Sequence, residues 1–253
     1  MTATVIGINT SYLFLTFLPP LVWLLFYLRE DRHPEPKYLL LLAFIGGMAS
    51  ALFAVLGECV FINVLGNSCR NGLSGSINPY LLFLGIALIE EYAKYLAVKF
   101  LILKRSEFDE PVDAMIYMMT SAMGFAALEN ALFIFPIFHQ NLLSGLQVAA
   151  SRFLGANLLH ALSSGLVGFF LARAWFHPKR HHFVALGIIL ATLLHATFNY
   201  LILVKEVLPQ GPLYLIFLLT VAAVVIFIDF AKLKKLGTNK NSIDSAQKET
   251  QMR

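Results

Sequence analysis

A chain of 253 residues that is 58% hydrophobic and only 13% charged, with a mean hydropathy of +0.72, is too apolar for a soluble domain, in which about a quarter of the residues carry charge. The formal charge of +4 comes from 19 Lys and Arg against 15 Asp and Glu, but the basic residues gather in short loops beside apolar runs, which points to membrane orientation and excludes a nucleic-acid binder. The expected class is an all-α polytopic transmembrane bundle in the cell membrane, solvated by the lipid bilayer.

Seven apolar runs are long enough to span: Thr10 to Leu28, Tyr38 to Leu65, Pro79 to Leu103, Val112 to Phe138, Leu146 to Trp175, Phe183 to Val204 and Pro212 to Ala231. No basic segment precedes the first and no small-residue cleavage site follows it, so it is expected to be a retained helix rather than a signal peptide. Between the first two runs, REDRHPEPKY is charged, and Pro34 and Pro36 stop a helix from running through it. GNSCRNGLSGSINP, after the second, has turn chemistry. Cys59 and Cys69 form no CxxC motif, and a disulfide between them is left open.

The third run carries Glu90, Glu91 and Lys94, and the fourth Asp113 near its start with Glu129 and Asn130 deep inside. Arg152, Asn157 and His160 lie in the fifth, His195 and Asn199 in the sixth. Asp113 is expected to be structural, within reach of Lys99 or Lys104 as a partner. From Lys232 the composition turns polar, so residues 1–231 read as one helical domain and 232–253 as a basic, largely disordered tail.

Lys and Arg set the orientation. Arg29, Arg32 and Lys37 follow the first run, Lys104 and Arg105 the third, Lys179 and Arg180 the fifth, and the tail holds six more; the alternate loops have only Arg70 and Lys205. The N-terminus is therefore expected outside and the C-terminus in the cytoplasm.

A charge near the bilayer midplane costs from about 3 to more than 10 kcal/mol, so intramembrane charges imply partners or a polar cavity. Glu90 and Lys94 share one helix face while Glu91 lies about 100° round, which lets one carboxylate work and the other anchor. Counted from the cytoplasmic ends, Glu91, Glu129, His160 and His195 all lie about 18 to 26 Å into a core about 30 Å thick. One polar layer, from mid-membrane to the outer half, is the economical arrangement.

Two carboxylates, two imidazoles and an amide suit the activation of water against a carbonyl. Glu129, His160 and His195 form a ligand set with room for water on a metal, Glu90 is the base, and Asn199 donates to the oxyanion. Lys94, Asn130 and Asn157 support them. The rival is a proton- or ion-coupled transporter, although no inverted repeat or paired broken helices are visible.

EEYAK (Glu90 to Lys94), FAALEN (Phe125 to Asn130), NLLH (Asn157 to His160) and HATFN (His195 to Asn199) resemble the EExxK, FxxxEN, His and HxxxN motifs of the PrsW family of intramembrane proteases, related to the CAAX prenyl endopeptidases. DRHPEP and EPVDAMIY are similar too, so the resemblance covers nearly all the helical part. It implies a metalloprotease whose substrate is a single-span membrane protein, an anti-sigma factor receiving its first cut, and it marks Glu90, Glu91, Glu129, His160 and His195 as functional, with Asn199 the weaker member. Zn2+ is the implied cofactor. The related CAAX-type pattern has His where this chain has Glu129, which keeps a metal-free, glutamate-activated water open.

Overall fold

The computed structural model describes residues 2–29, 33–66, 78–175 and 180–251, and among them the regular structure is all helical. The helices are α1 (Thr2–Leu28), α2 (Lys37–Val64), α3 (Pro79–Leu101), α4 (Asp113–Gln140), α5 (Leu142–Leu154), α6 (Ala156–Trp175), α7 (Arg180–Val204) and α8 (Gly211–Gln251). Six described stretches are long and apolar enough to cross a membrane: Thr10–Leu28, Lys37–Val64, Asp113–Gln140, Leu142–Ala174, His181–Val204 and Gly211–Leu236. α3 has the length, at 23 residues, but Glu90, Glu91, Lys94 and Lys99 make it too charged to join them on composition. It packs against α2 and α7 within the bundle. With it the described residues hold seven long helical passages, the number expected from the sequence. Large apolar side chains such as Phe53 and Phe217, each 70% exposed, cover the outside of the bundle, as a lipid-facing surface requires.

The fifth expected span is two helices. Leu146 to Trp175 reads as one run, yet α5 ends at Leu154 and α6 starts at Ala156, with Gly155 between them at φ −103° and ψ −91°. Glycine has the freedom to leave helical dihedrals here. α5 starts earlier than the expected span, on Asn141, whose side chain accepts the Ser144 N–H at 2.9 Å. At the other end of the chain the helical backbone of α8 continues to Gln251, through the polar stretch for which composition suggests disorder.

α4 is the central element, buried from Asp113 through Ala127 and packed against α1, α2, α5 and α6. It crosses α2 at backbone distance: a Cβ on Gly47 would strike the Ser121 carbonyl, and one on Gly124 the Phe44 carbonyl. Only glycine allows that approach. Near the start of α4, Asp113 Oδ2 accepts the backbone N–H groups of Asp109 (3.0 Å) and Glu110 (2.7 Å). It caps the turn before the helix and is not paired with Lys99 or Lys104. The HPEP segment is tied to the same region, through Tyr117 Oη donating to the buried Glu35 and His33 lying 2.9 Å from Glu110. Arg32, Lys179 and the loop holding Cys69 and Arg70 lie outside the described residues. Cys59 is disulfide-bonded.

Candidate active site

On α3, Glu90, Glu91 and Lys94 all face inward, and Glu91 and Lys94 are fully buried. Lys94 Nζ donates to Glu91 Oε1 at 2.8 Å and stands 3.7 Å from Glu90 Oε2. Glu91 is saturated: Oε1 also takes Ser163 Oγ at 2.9 Å and His195 Nδ1 at 2.9 Å, and Oε2 takes Ser164 Oγ at 3.1 Å. A carboxylate holding four donors in the dry interior is an anchor joining α3, α6 and α7. Glu90 is the opposite case. Its Oε2 is buried without a hydrogen-bond partner, 3.7 Å from His195 Nε2. The α3 spacing thus gives the two carboxylates different surroundings, Glu91 held by four donors and Glu90 Oε2 by none.

The histidines come from α6 and α7, their rings 5.0 Å apart and inclined at 85°. Each is oriented by a glutamate: His195 through Nδ1 on Glu91, His160 through Nε2 on Glu129 Oε2 at 2.7 Å. Nδ1 of His160 meets Lys94 Nζ at 2.8 Å. Glu129 is also within 2.9 Å of Arg152 Nη2, an ion pair without hydrogen-bond alignment. Arg152 Nε donates to Asn130 Oδ1 at 2.6 Å, and Asn130 Nδ2 donates to Asn157 Oδ1 at 3.1 Å and to the Thr16 carbonyl at 3.2 Å. Asn130 and Asn157 therefore act as supports, tying α4, α5 and α6 to α1.

Among the described residues, the three whose possible ligand atoms lie within 4.8 Å of one another are Glu90, His160 and His195. The sequence reading puts Glu129 in that set, but Glu129 sits on the far nitrogen of His160 and is shared with Arg152. Asn199, one turn along α7 from His195, lines a cavity of about 440 Å³ together with Glu58, Glu90, Glu129 and Arg152. Glu58, Ser163 and Ser164 belong to none of the motifs, and neither does Arg152, which the sequence offers only as a charge in the fifth run; Glu58 carries the same signal, a charge inside an apolar span.

The profile of the PrsW family of intramembrane metalloproteases matches residues 35–228. The chain belongs to this family. The protease PrsW of Geobacillus kaustophilus is 32% identical over 182 residues, covering 72% of this chain and 74% of the relative. That of Bacillus subtilis is 28% identical over 179 residues, covering 70% and 75%, and that of Clostridioides difficile 28% over 200 residues, covering 76% and 80%. No solved structure matches the chain. Membership of the PrsW family makes the chain a multi-pass intramembrane protease, and the transporter reading is set aside.

The PrsW family's description as metalloproteases can be tested on the residues themselves. They fit: Glu90 Oε2 is a buried oxygen with no partner, and both imidazoles are held from behind by a carboxylate, the arrangement that orients metal-binding histidines. Glu90, His160 and His195 are thus the residues able to hold a cation, and ligation through His160 Nδ1 would take the place of its contact with Lys94.

Proposed function

We propose that the chain hydrolyses one peptide bond of a single-span membrane protein, at or just outside the extracytoplasmic end of the substrate helix, with Glu90 as the general base. The observation that carries this reading is the cavity that begins at Glu90 and is lined beyond it by Glu58, Ile86, Phe83, Leu132, Phe133, Ile202 and Leu203, residues from the outward-running halves of α2, α3, α4 and α7. Water reaches Glu90 from that end. A peptide bond within a membrane helix is shielded and hydrogen-bonded, whereas one at a frayed end presents its carbonyl.

Glu90 holds the water on its carboxylate and accepts the proton as the oxygen attacks the carbonyl carbon. The same proton passes to the departing amide nitrogen as the C–N bond breaks. Asn199 lines the cavity and supplies an N–H toward the developing oxyanion. Glu91 takes no part in proton transfer, since its oxygens are filled, and instead fixes His195. The cation we assign to Glu90, His160 and His195 is zinc, whose ordinary ligands these are; when bound it polarises water and carbonyl. Glu90 would hold the cation through one carboxylate oxygen and keep the other for the proton. The family resemblance supports an anti-sigma factor as the partner.

Reconstituting the protein with such a single-span substrate and weighing the products tests the reading. One cut near the extracytoplasmic helix end is expected; a cut on the cytoplasmic side overturns it.

A further inference from the structure

Among the described residues, every carboxylate of the site but one lies within ion-pair distance of a Lys or Arg. Glu91 is paired with Lys94 at 2.8 Å, Glu129 with Arg152 at 2.9 Å, and Glu90 stands 3.7 Å from both Lys94 and His195. Glu58, on α2, lines the same cavity and feels the charges of Glu90 and Glu129 and, more weakly, that of Lys94, yet it has no hydrogen bond or ion pair among the described residues. A carboxylate in a spanning helix is costly, and one left without a partner on its own chain is suited to a partner that arrives with a ligand.

The depth of Glu58 says where on the ligand that partner sits. It lies six residues before α2 ends at Val64, whereas Glu90 lies eleven residues after α3 starts at Pro79. At about 1.5 Å per residue, Glu58 is about 7 to 8 Å nearer the outer surface, the reach of about two residues of extended chain. Lys and Arg are the side chains that sit at the ends of membrane helices with their stems in apolar surroundings and their charges directed outward.

We propose that Glu58 is a specificity-determining residue that binds a Lys or Arg of the substrate two or three residues to the extracytoplasmic side of the scissile bond. The proposal rests on the outward-facing cut argued above. Cleavage then selects substrates by a charge at the helix end as well as by membrane insertion.

The test uses the full-length protein in liposomes and a single-span substrate carrying Lys, Gln or Glu at those positions. Wild type is expected to favour Lys over Gln by about tenfold or more in kcat/KM, mainly through KM. In Glu58→Gln that ratio falls to about 1. In Glu58→Lys the order reverses, with Glu favoured over Gln, an outcome that a misfolded variant cannot produce. A wild-type ratio near 1, or a ratio that survives in Glu58→Gln, overturns the proposal. The same ratios measured as binding affinities in a Glu90→Gln background separate the two readings. Charge-selective binding without an outward cut sinks the proposed function and leaves Glu58 standing, whereas an outward cut without charge preference does the reverse.

Discussion

His195 Nδ1 lies 2.9 Å from Glu91 Oε1, and this contact commits Glu91 to holding a ring in place. Glu90→Gln is accordingly expected to leave the protein folded and to lower turnover by about 100-fold or more, the scale of a lost general base. Glu91→Gln should lower the melting temperature as well, because three helices meet on that carboxylate. Thermal unfolding in detergent beside product formation separates them. Equal melting losses in the two variants would remove the distinction between base and anchor.

Lys94→Met leaves Glu91 buried without its cation. Removing one partner of a buried ion pair costs about 3 to 5 kcal/mol, so expression and melting temperature should fall sharply. The double variant Lys94→Met, Glu91→Gln should recover part of the loss, because the orphaned charge is gone. A double variant no more stable than Lys94→Met alone would argue against the pairing as the source.

For the metal, elemental analysis of purified protein is the direct measurement. Zinc close to one per chain is expected, lost in His160→Ala, His195→Ala and Glu90→Ala and largely kept in Glu129→Ala, since Glu129 lies behind His160. If Glu129→Ala strips the metal as completely as Glu90→Ala, the ligand set is that of the sequence reading instead. Chelation should inactivate slowly and added zinc should restore activity.

Orientation is open to cysteine labelling from either side. Positions near Lys104 and after Leu236 should react only from the cytoplasm, following the alternation of basic loops. The disulfide of Cys59, five residues before α2 ends at Val64, agrees, because disulfides persist in oxidising compartments. Labelling of Lys104→Cys from outside would invert the bundle.

The residues legible in the sequence are those whose presence is expensive. Glu90, Glu91, Lys94, His160 and His195 stand out because charge and imidazole inside apolar runs need a reason, and their depth already puts them in one layer. Which carboxylate faces both imidazoles depends on helix rotation and crossing, which spacing does not encode, and so the sequence groups Glu129 with the histidines where the structure gathers Glu90. Ser163 and Ser164 are unremarkable mid-helix residues until Glu91 is seen to need donors. Gly155 hides in an apolar run because membrane helices often contain glycine. Glu58 passes the same test of cost as Glu90 but belongs to none of the resembling motifs.

Where Gly47 and Gly124 bring α2 and α4 into backbone contact, the interior divides in two. On one side of that crossing Met115, Ile116, Met118 and Met119 fill the bundle, none more than 1% exposed; on the other, the cavity opens from Ala51 and Phe125 onward. A hydrolase in an energised membrane must admit water without short-circuiting the proton gradient. If water enters as proposed, this chain meets that demand as a blind well does: the cavity ends at Glu90, with the close-packed methionines of α4 beyond the crossing. Vesicles carrying the active enzyme should hold a pH gradient as well as vesicles without it.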